Sequence, residues 1–165
     1  MYLANTMAEG SIMRIPDELA MKLQAMAGQQ CSLQRVTNDK SLFLGFGEVL
    51  NSATAPHCAW EIGTYDCSWR IIREGKVLCG RDDTIDDIVE LKDAVERIRM
   101  GCFASLSHLS EFDIRITLSC GTKIDFLCTI SEDDEVLHVF FPSKEVAAFT
   151  AVDGWRLGRS DEAWA

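Results

Sequence analysis

Asp113-Ile-Arg-Ile-Thr-Leu-Ser-Cys-Gly-Thr-Lys-Ile-Asp-Phe-Leu-Cys-Thr-Ile130 is the stretch on which the fold of this chain turns. Ile114, Ile116 and Leu118 alternate with Arg115 and Thr117, the two-residue period of a strand with one dry and one wet face. Cys120-Gly121-Thr122 carries the turn, and residues 123–130 return from it. A connection this short joins only antiparallel strands.

Just upstream the period changes. Ile88, Leu91, Val95 and Ile98, joined by Ile85 and Ala94, form an apolar stripe at helical spacing. Asp86, Glu90, Asp93, Glu96 and Arg97 take the wet side. Thr84 with Asp87 three residues on reads as an acidic variant of the capping box, and Gly101 as the stop. A first helix is expected over 16–27. Pro16 suits its first position, Asp17 and Glu18 suit its positive end, and Gly28 ends it. Leu19, Leu23 and Met26 are its buried stripe.

Strands fill the rest. The pattern predicts them over 31–36, through Leu42, Leu44 and Phe46, over 59–65 and over 69–73. Residues 51–56 read as a polar loop. Glu74-Gly75 reads as a tight turn from which 76–79 pairs back. Beyond the opening stretch, Ser131-Glu-Asp-Asp-Glu135 is an acidic loop, 136–141 a strand closed by Pro142, and 154–157 a short final strand. The expectation is an α+β fold of antiparallel sheets built from hairpins, with two main helices. It occupies a single domain over 13–160, after a loose segment 1–12. The halves also echo each other. Residues 28–36 align with 101–109, Leu42, Leu44 and Phe46 with Ile114, Ile116 and Leu118, and Trp69-Arg-Ile71 with Trp155-Arg-Leu157. Pseudo-repeats 14–80 and 83–158 would explain this, and so would any helix followed by antiparallel strands.

Composition bounds the function. Sixteen Lys and Arg stand against 26 Asp and Glu, a net charge of −10 on 165 residues. Such a surface repels nucleic acid and anionic membranes and attracts basic proteins. No apolar run is long enough for a membrane helix, and the N-terminal ten residues lack the pattern of a signal peptide. Seven cysteines without a CxxC pair, mostly among apolar neighbours, read as buried free thiols in a reducing, cytoplasmic setting.

Catalytic chemistry finds little to stand on. Histidines occur only at 57, 108 and 138. His57 and Cys58 are strand neighbours that point to opposite faces, so they form no dyad, and a thiol nucleophile would need His108 or His138 brought to it in space. The spacing of His57, Cys58, Cys67 and Cys79 matches no zinc pattern. Gly80-Arg-Asp-Asp83 precedes a helix, but its own carboxylates oppose an anion there. No metal, cofactor or catalytic residue is assigned. Two acidic clusters remain: Asp82, Asp83, Asp86 and Asp87, and Glu132, Asp133, Asp134 and Glu135. Each has a structural explanation, a capped helix start for the first and a solvated turn for the second. Together they are the candidate surface for a basic partner. Trp60, Trp69 and Trp155 read as core or half-core, and Tyr65-Asp66 as a pair able to face a partner.

Residues 14–23 resemble the start of a helix in ribbon-helix-helix antitoxins, but the acidic total opposes DNA binding. A wider resemblance runs from Gly28 onward. Leu42-Phe-Leu-Gly-Phe-Gly47, Trp60-Glu-Ile62, Ser68-Trp-Arg-Ile71 and Phe112-Asp-Ile-Arg-Ile116, set between helix, hairpins, central helix and hairpins, resemble small bacterial immunity proteins of polymorphic-toxin and contact-dependent growth inhibition systems. The resemblance implies a cytoplasmic inhibitor that binds its cognate toxin domain and blocks the active site. It carries over no individual residue. Because nucleases have basic clefts, the acidic charge favours a nuclease as the target. A small enzyme with a cysteine nucleophile or a carboxylate-bound metal, or an adaptor subunit, is the alternative.

Overall fold

The structure, a computed structural model, describes residues 14–51, 55–83 and 87–162. In chain order it consists of α1 (Asp17–Met26), β1 (Cys31–Val36), β2 (Leu42–Asn51), β3 (Pro56–Gly63), β4 (Ser68–Arg73), β5 (Lys76–Gly80), α2 (Ile88–Glu96), β6 (Phe103–His108), β7 (Ile114–Leu118), β8 (Lys123–Leu127), β9 (Glu135–Phe141), β10 (Glu145–Thr150) and β11 (Gly154–Arg159). The strands form two antiparallel sheets, so the expected α+β class with antiparallel sheets is what the chain adopts. The loose segment expected over 1–12 lies outside the described residues.

Strands run β1-β2-β3-β9-β10-β11 in the six-stranded sheet and β5-β4-β8-β7-β6 in the five-stranded one. The chain lays β1, β2 and β3 as a meander, then leaves for the other sheet as β4 and β5. After α2 it lays β6, β7 and β8 beside them and returns as β9, β10 and β11. Each half thus hands its later strands to the other's sheet, through the β3–β9 and β8–β4 pairings. The first two sequence echoes fall on strands that hold the same place along this route, β1 with β6 and β2 with β7. The third does not. Trp69 is on β4, whose counterpart on the route is β9, whereas Trp155 is on the additional strand β11.

One hydrophobic cluster holds both sheets and both helices. Leu19, Leu23 and Met26 of α1 and Leu91 and Val95 of α2 join Leu44, Ile62 and Val139 from one sheet and Ile71, Ile116 and Phe126 from the other. Of the predicted stripe residues, Leu19, Leu23, Met26, Leu91 and Val95 enter it, whereas Ala94 is half-buried outside it and Ile85 lies outside the described residues. Ile88 and Ile98 pack against its margin.

The halves meet where the segments after α1 and α2 cross. Gln30 and Cys102 form an isolated antiparallel bridge. Gly28 N donates to the Phe103 carbonyl, Phe103 N to Gln29 and Cys31 N to Gly101, all at 2.9 Å. Phe46 and Phe103 stack edge to face there, with ring centroids 5.7 Å apart.

Several features differ from the sequence reading. The expected cap at Thr84 lies outside the described residues; α2 starts at Ile88, and the Asp87 side chain caps it by accepting from Val89 N. The helix ends at Glu96 rather than at Gly101, and the Gln34 amide donates to the carbonyls of Val95 and Ile98 around its end. β2 and β3 run further into the expected loop 51–56, with Asn51 opposite Pro56. β10 was not expected at all. Its Val146-Ala-Ala-Phe149 core is buried on both faces, so it has no alternation to read.

Gly28, just after α1, and Gly101, in the segment that leads from α2 to β6, have φ of 85° and 80°. A Cβ on Gly28 meets nothing within 4 Å, whereas one on Gly101 lies 3.0 Å from Ser119 Oγ and 3.2 Å from Cys120 Sγ. Gly28→Ala is therefore expected to cost only the backbone penalty, about 1–2 kcal/mol. Gly101→Ala should cost more, because the crossing must also shift. Urea midpoints of the two variants check the order.

Candidate functional site

The two acidic segments reach the same place by different routes. Asp82 accepts a hydrogen bond from Ser68 Oγ at 2.7 Å, and its neighbour Arg81 donates to the Tyr65 carbonyl at 2.9 Å. Asp83 accepts from Gly80 N, and Asp87 caps α2. Asp86 lies outside the described residues. Three of the first four acids thus hold a turn and a helix end, although Asp82 and Asp87 remain exposed. In the second segment Glu132, Asp133 and Asp134 are exposed. Glu135 turns inward, with its carboxylate 3.5 Å from His138 Nδ1. Both segments therefore flank the connection 64–67, which carries the chain from β3 to β4.

Tyr65 stands on that connection. The residue is 50% exposed. It rests on His138 at 5.0 Å and meets Phe43 edge to face at 5.7 Å. Burial, then the charges of Glu135 and Glu61, push its phenol above the ordinary value, against a smaller pull from Arg35.

Beneath Tyr65 lies the face of the six-stranded sheet that points away from the core. Phe43, Cys58, Val146 and Ala148 are buried yet stand outside the core cluster. Arg35, Phe43, Gly63, His138, Ala148 and Arg156 oppose one another in register across six strands. Gly63 is required in this row, since a Cβ there would sit 2.5 Å from the Phe43 ring. His138 is 1% exposed and boxed by Phe43, Tyr65 and Phe140, and among the described residues neither ring nitrogen has a hydrogen-bond partner. Both helices direct their buried residues to the shared core, so among the described residues no helix lies across this face.

The far face of the five-stranded sheet is built differently. Asp125 on β8 is fully buried between Arg70 and Arg115, accepting from Arg115 Nε at 2.7 Å and Arg70 Nε at 2.9 Å. Burial alone would raise its carboxyl, but the two guanidinium groups outweigh burial and bring it below the ordinary value. All three side chains are spent on one another across neighbouring strands, and the triad ties β4, β8 and β7 together.

Most thiols are inert. Burial pushes Cys31 and Cys67 up to about 12 and Cys79 up to about 11. Cys120 differs. It is exposed, and although partial burial raises it, hydrogen bonding with Thr122 and the charge of Arg73 bring it below the ordinary value. Its other partners are the carbonyls of Met100 and Arg99, and no histidine touches it. His108 is engaged by Trp155 Nε1 at 3.1 Å. Among the described residues no group of three His, Cys, Asp or Glu side chains is placed to hold a metal ion.

Sequence reasoning found the acidic segments and the Tyr65-Asp66 pair, and it missed the row beneath them. Arg35, Phe43, Gly63 and His138 come from four strands. The only local trace is that Phe43 interrupts Leu42 and Leu44, a sign of a strand with two buried faces.

Two outcomes follow. In the native protein an alkylating reagent should modify Cys120 first and leave Cys31, Cys67 and Cys79 until unfolding, as peptide mass spectrometry would report. Asp125 has a depressed carboxyl in the folded state, so its stabilisation is complete above the unfolded pKa and is lost as pH falls through the folded one. Asp125→Asn should therefore flatten the acid limb of stability against pH, measured as urea midpoints from neutral to acid. No protein-family model, no curated protein and no solved structure matches this chain.

Proposed function

We propose that this chain is an immunity protein: a cytoplasmic inhibitor that binds its cognate antibacterial toxin domain, a nuclease, and occupies the basic cleft of that domain's active site. Tyr65 carries the reading. It is a large exposed aromatic on a bed of buried rings, within reach of the charges of Glu135 and Glu61. A tyrosine already held in place loses little freedom on binding, and such residues dominate interface energies. The surrounding acids steer a basic partner towards it and disfavour nucleic acid. The net charge of −10 acts in the same direction.

A second reading, a thiol enzyme built on Cys120, is favoured by the lowered thiol alone. A base beside the sulfur, which thiol catalysis normally uses, is not among its partners.

Co-expression with a toxin domain encoded in the adjoining reading frame tests the proposal. The wild-type chain should restore growth. Tyr65→Ala should weaken the purified complex by about 2 kcal/mol, roughly thirtyfold in Kd. Changing Glu132, Asp133 and Asp134 to their amides should slow association about tenfold at low ionic strength, with the gap closing as salt rises. Growth that stays arrested, or association indifferent to both salt and these acids, would overturn it.

A further inference from the structure

We propose that a groove beside Tyr65 on the six-stranded sheet receives an arginine side chain of a basic protein partner, with Glu61 as the counter-charge. The inference rests on the inhibitor reading for the kind of partner, and on the groove itself for the chemistry.

The groove exists because two strands part. β3 and β9 pair only through Glu61 with Phe140, Ile62 with Val139 and Gly63 with His138. Beyond Glu61, β3 continues along β2 alone, while β9 stops at Phe141 and Pro142 turns the chain away. The space between them measures about 500 Å³. Leu50, Ala59, Phe140 and Pro142 give it apolar walls, and Glu61 stands where the strands separate.

Glu61 is the unusual group. Its side chain is 13% exposed, and its nearest cation is Arg35 Nη2 at 3.9 Å, too far for a hydrogen bond. Among the described residues nothing donates to this carboxylate. A carboxylate whose counter-charge, Arg35, stands at 3.9 Å without a hydrogen bond gains from a second cation that brings its own N–H groups. The lysine that lines the groove, Lys144, is exposed and pairs with Asp161 at 3.5 Å. Cys58 adds no second anion. Burial, and then the Glu61 charge, push its thiol up and keep it neutral.

Arginine matches these features together. Its stem is apolar and suits Leu50, Ala59 and Pro142. Its planar head can lie on the Phe140 ring and present a fork of donors to both Glu61 oxygens. A neutral isostere lacks the charge that the covered carboxylate demands.

The test is a titration of the isotopically labelled full chain with N-acetyl-arginine amide, and with the citrulline analogue as the uncharged control, followed by NMR. The arginine compound should shift the amides of Ala59, Glu61 and Phe140 in a saturable way, and citrulline should bind at least about tenfold more weakly. Glu61→Gln, which keeps the shape, should remove the binding. So should Ala59→Leu, which fills the groove and leaves the carboxylate. Equal shifts from citrulline, undiminished binding in Glu61→Gln, or shifts confined to residues 132–135 would overturn the proposal. Growth rescue separates the two readings. Rescue by the wild type without arginine binding in the groove sinks the groove alone. Arginine binding in a chain that never protects cells sinks the inhibitor reading alone.

Discussion

The crossing of residues 28–31 with 101–103 is the joint on which the rest of the structure depends. Backbone hydrogen bonds between Gly28 and Phe103, Phe103 and Gln29, and Cys31 and Gly101 pin the first strand of one sheet to the first strand of the other. Both segments enter the crossing with a glycine in the left-handed region, Gly28 and Gly101. Once those ends are fixed, each meander runs outward from the joint. The later strands of each half then have one free edge to pair with, the one on the opposite sheet.

This exchange of strands places the polar groups. A sheet between a shared core and solvent needs one dry face, and the cluster from Leu19 to Phe149 provides it. The outward faces have no such obligation, and the two sheets use them differently. The five-stranded sheet closes its face with the Arg70–Asp125–Arg115 triad, in which every charge is satisfied internally. The six-stranded sheet leaves its face open. Aromatic rings bury His138, whose ring nitrogens have no hydrogen-bond partner among the described residues, and Glu61 has only the ion pair with Arg35 at 3.9 Å. An incompletely satisfied polar surface gains more from a partner than a satisfied one does.

The acidic charge divides along similar lines. Asp82, Asp83 and Asp87 are engaged by Ser68, Gly80 and the start of α2. Glu132, Asp133 and Asp134 are exposed on the loop before β9, and among the described residues no side chain donates to them. Their neighbour Glu135 links them to Tyr65 and His138. The charge that matters for an encounter therefore lies mainly beside the connection between the sheets.

Residue periodicity determined which parts of the chain are helix and which are strand. Ile114, Ile116 and Leu118 declared their strand, and Leu91 and Val95 their helix, because burial of one face leaves a period that survives in a list of residues. That signal vanished at Val146-Ala-Ala-Phe149, where both faces are buried and no alternation remains. The acidic segments and Tyr65 were legible as local composition. Their convergence was not, and neither were the row from Arg35 to Arg156 and the groove at Glu61. Those depend on which strands become neighbours, and here the decisive neighbours, β3 with β9 and β4 with β8, come from opposite halves of the chain. Local sequence specifies a strand's faces. Only the tertiary structure decides its partner, because pairing across such distances is set by the joint at Gln30 and Cys102 and by the shared core.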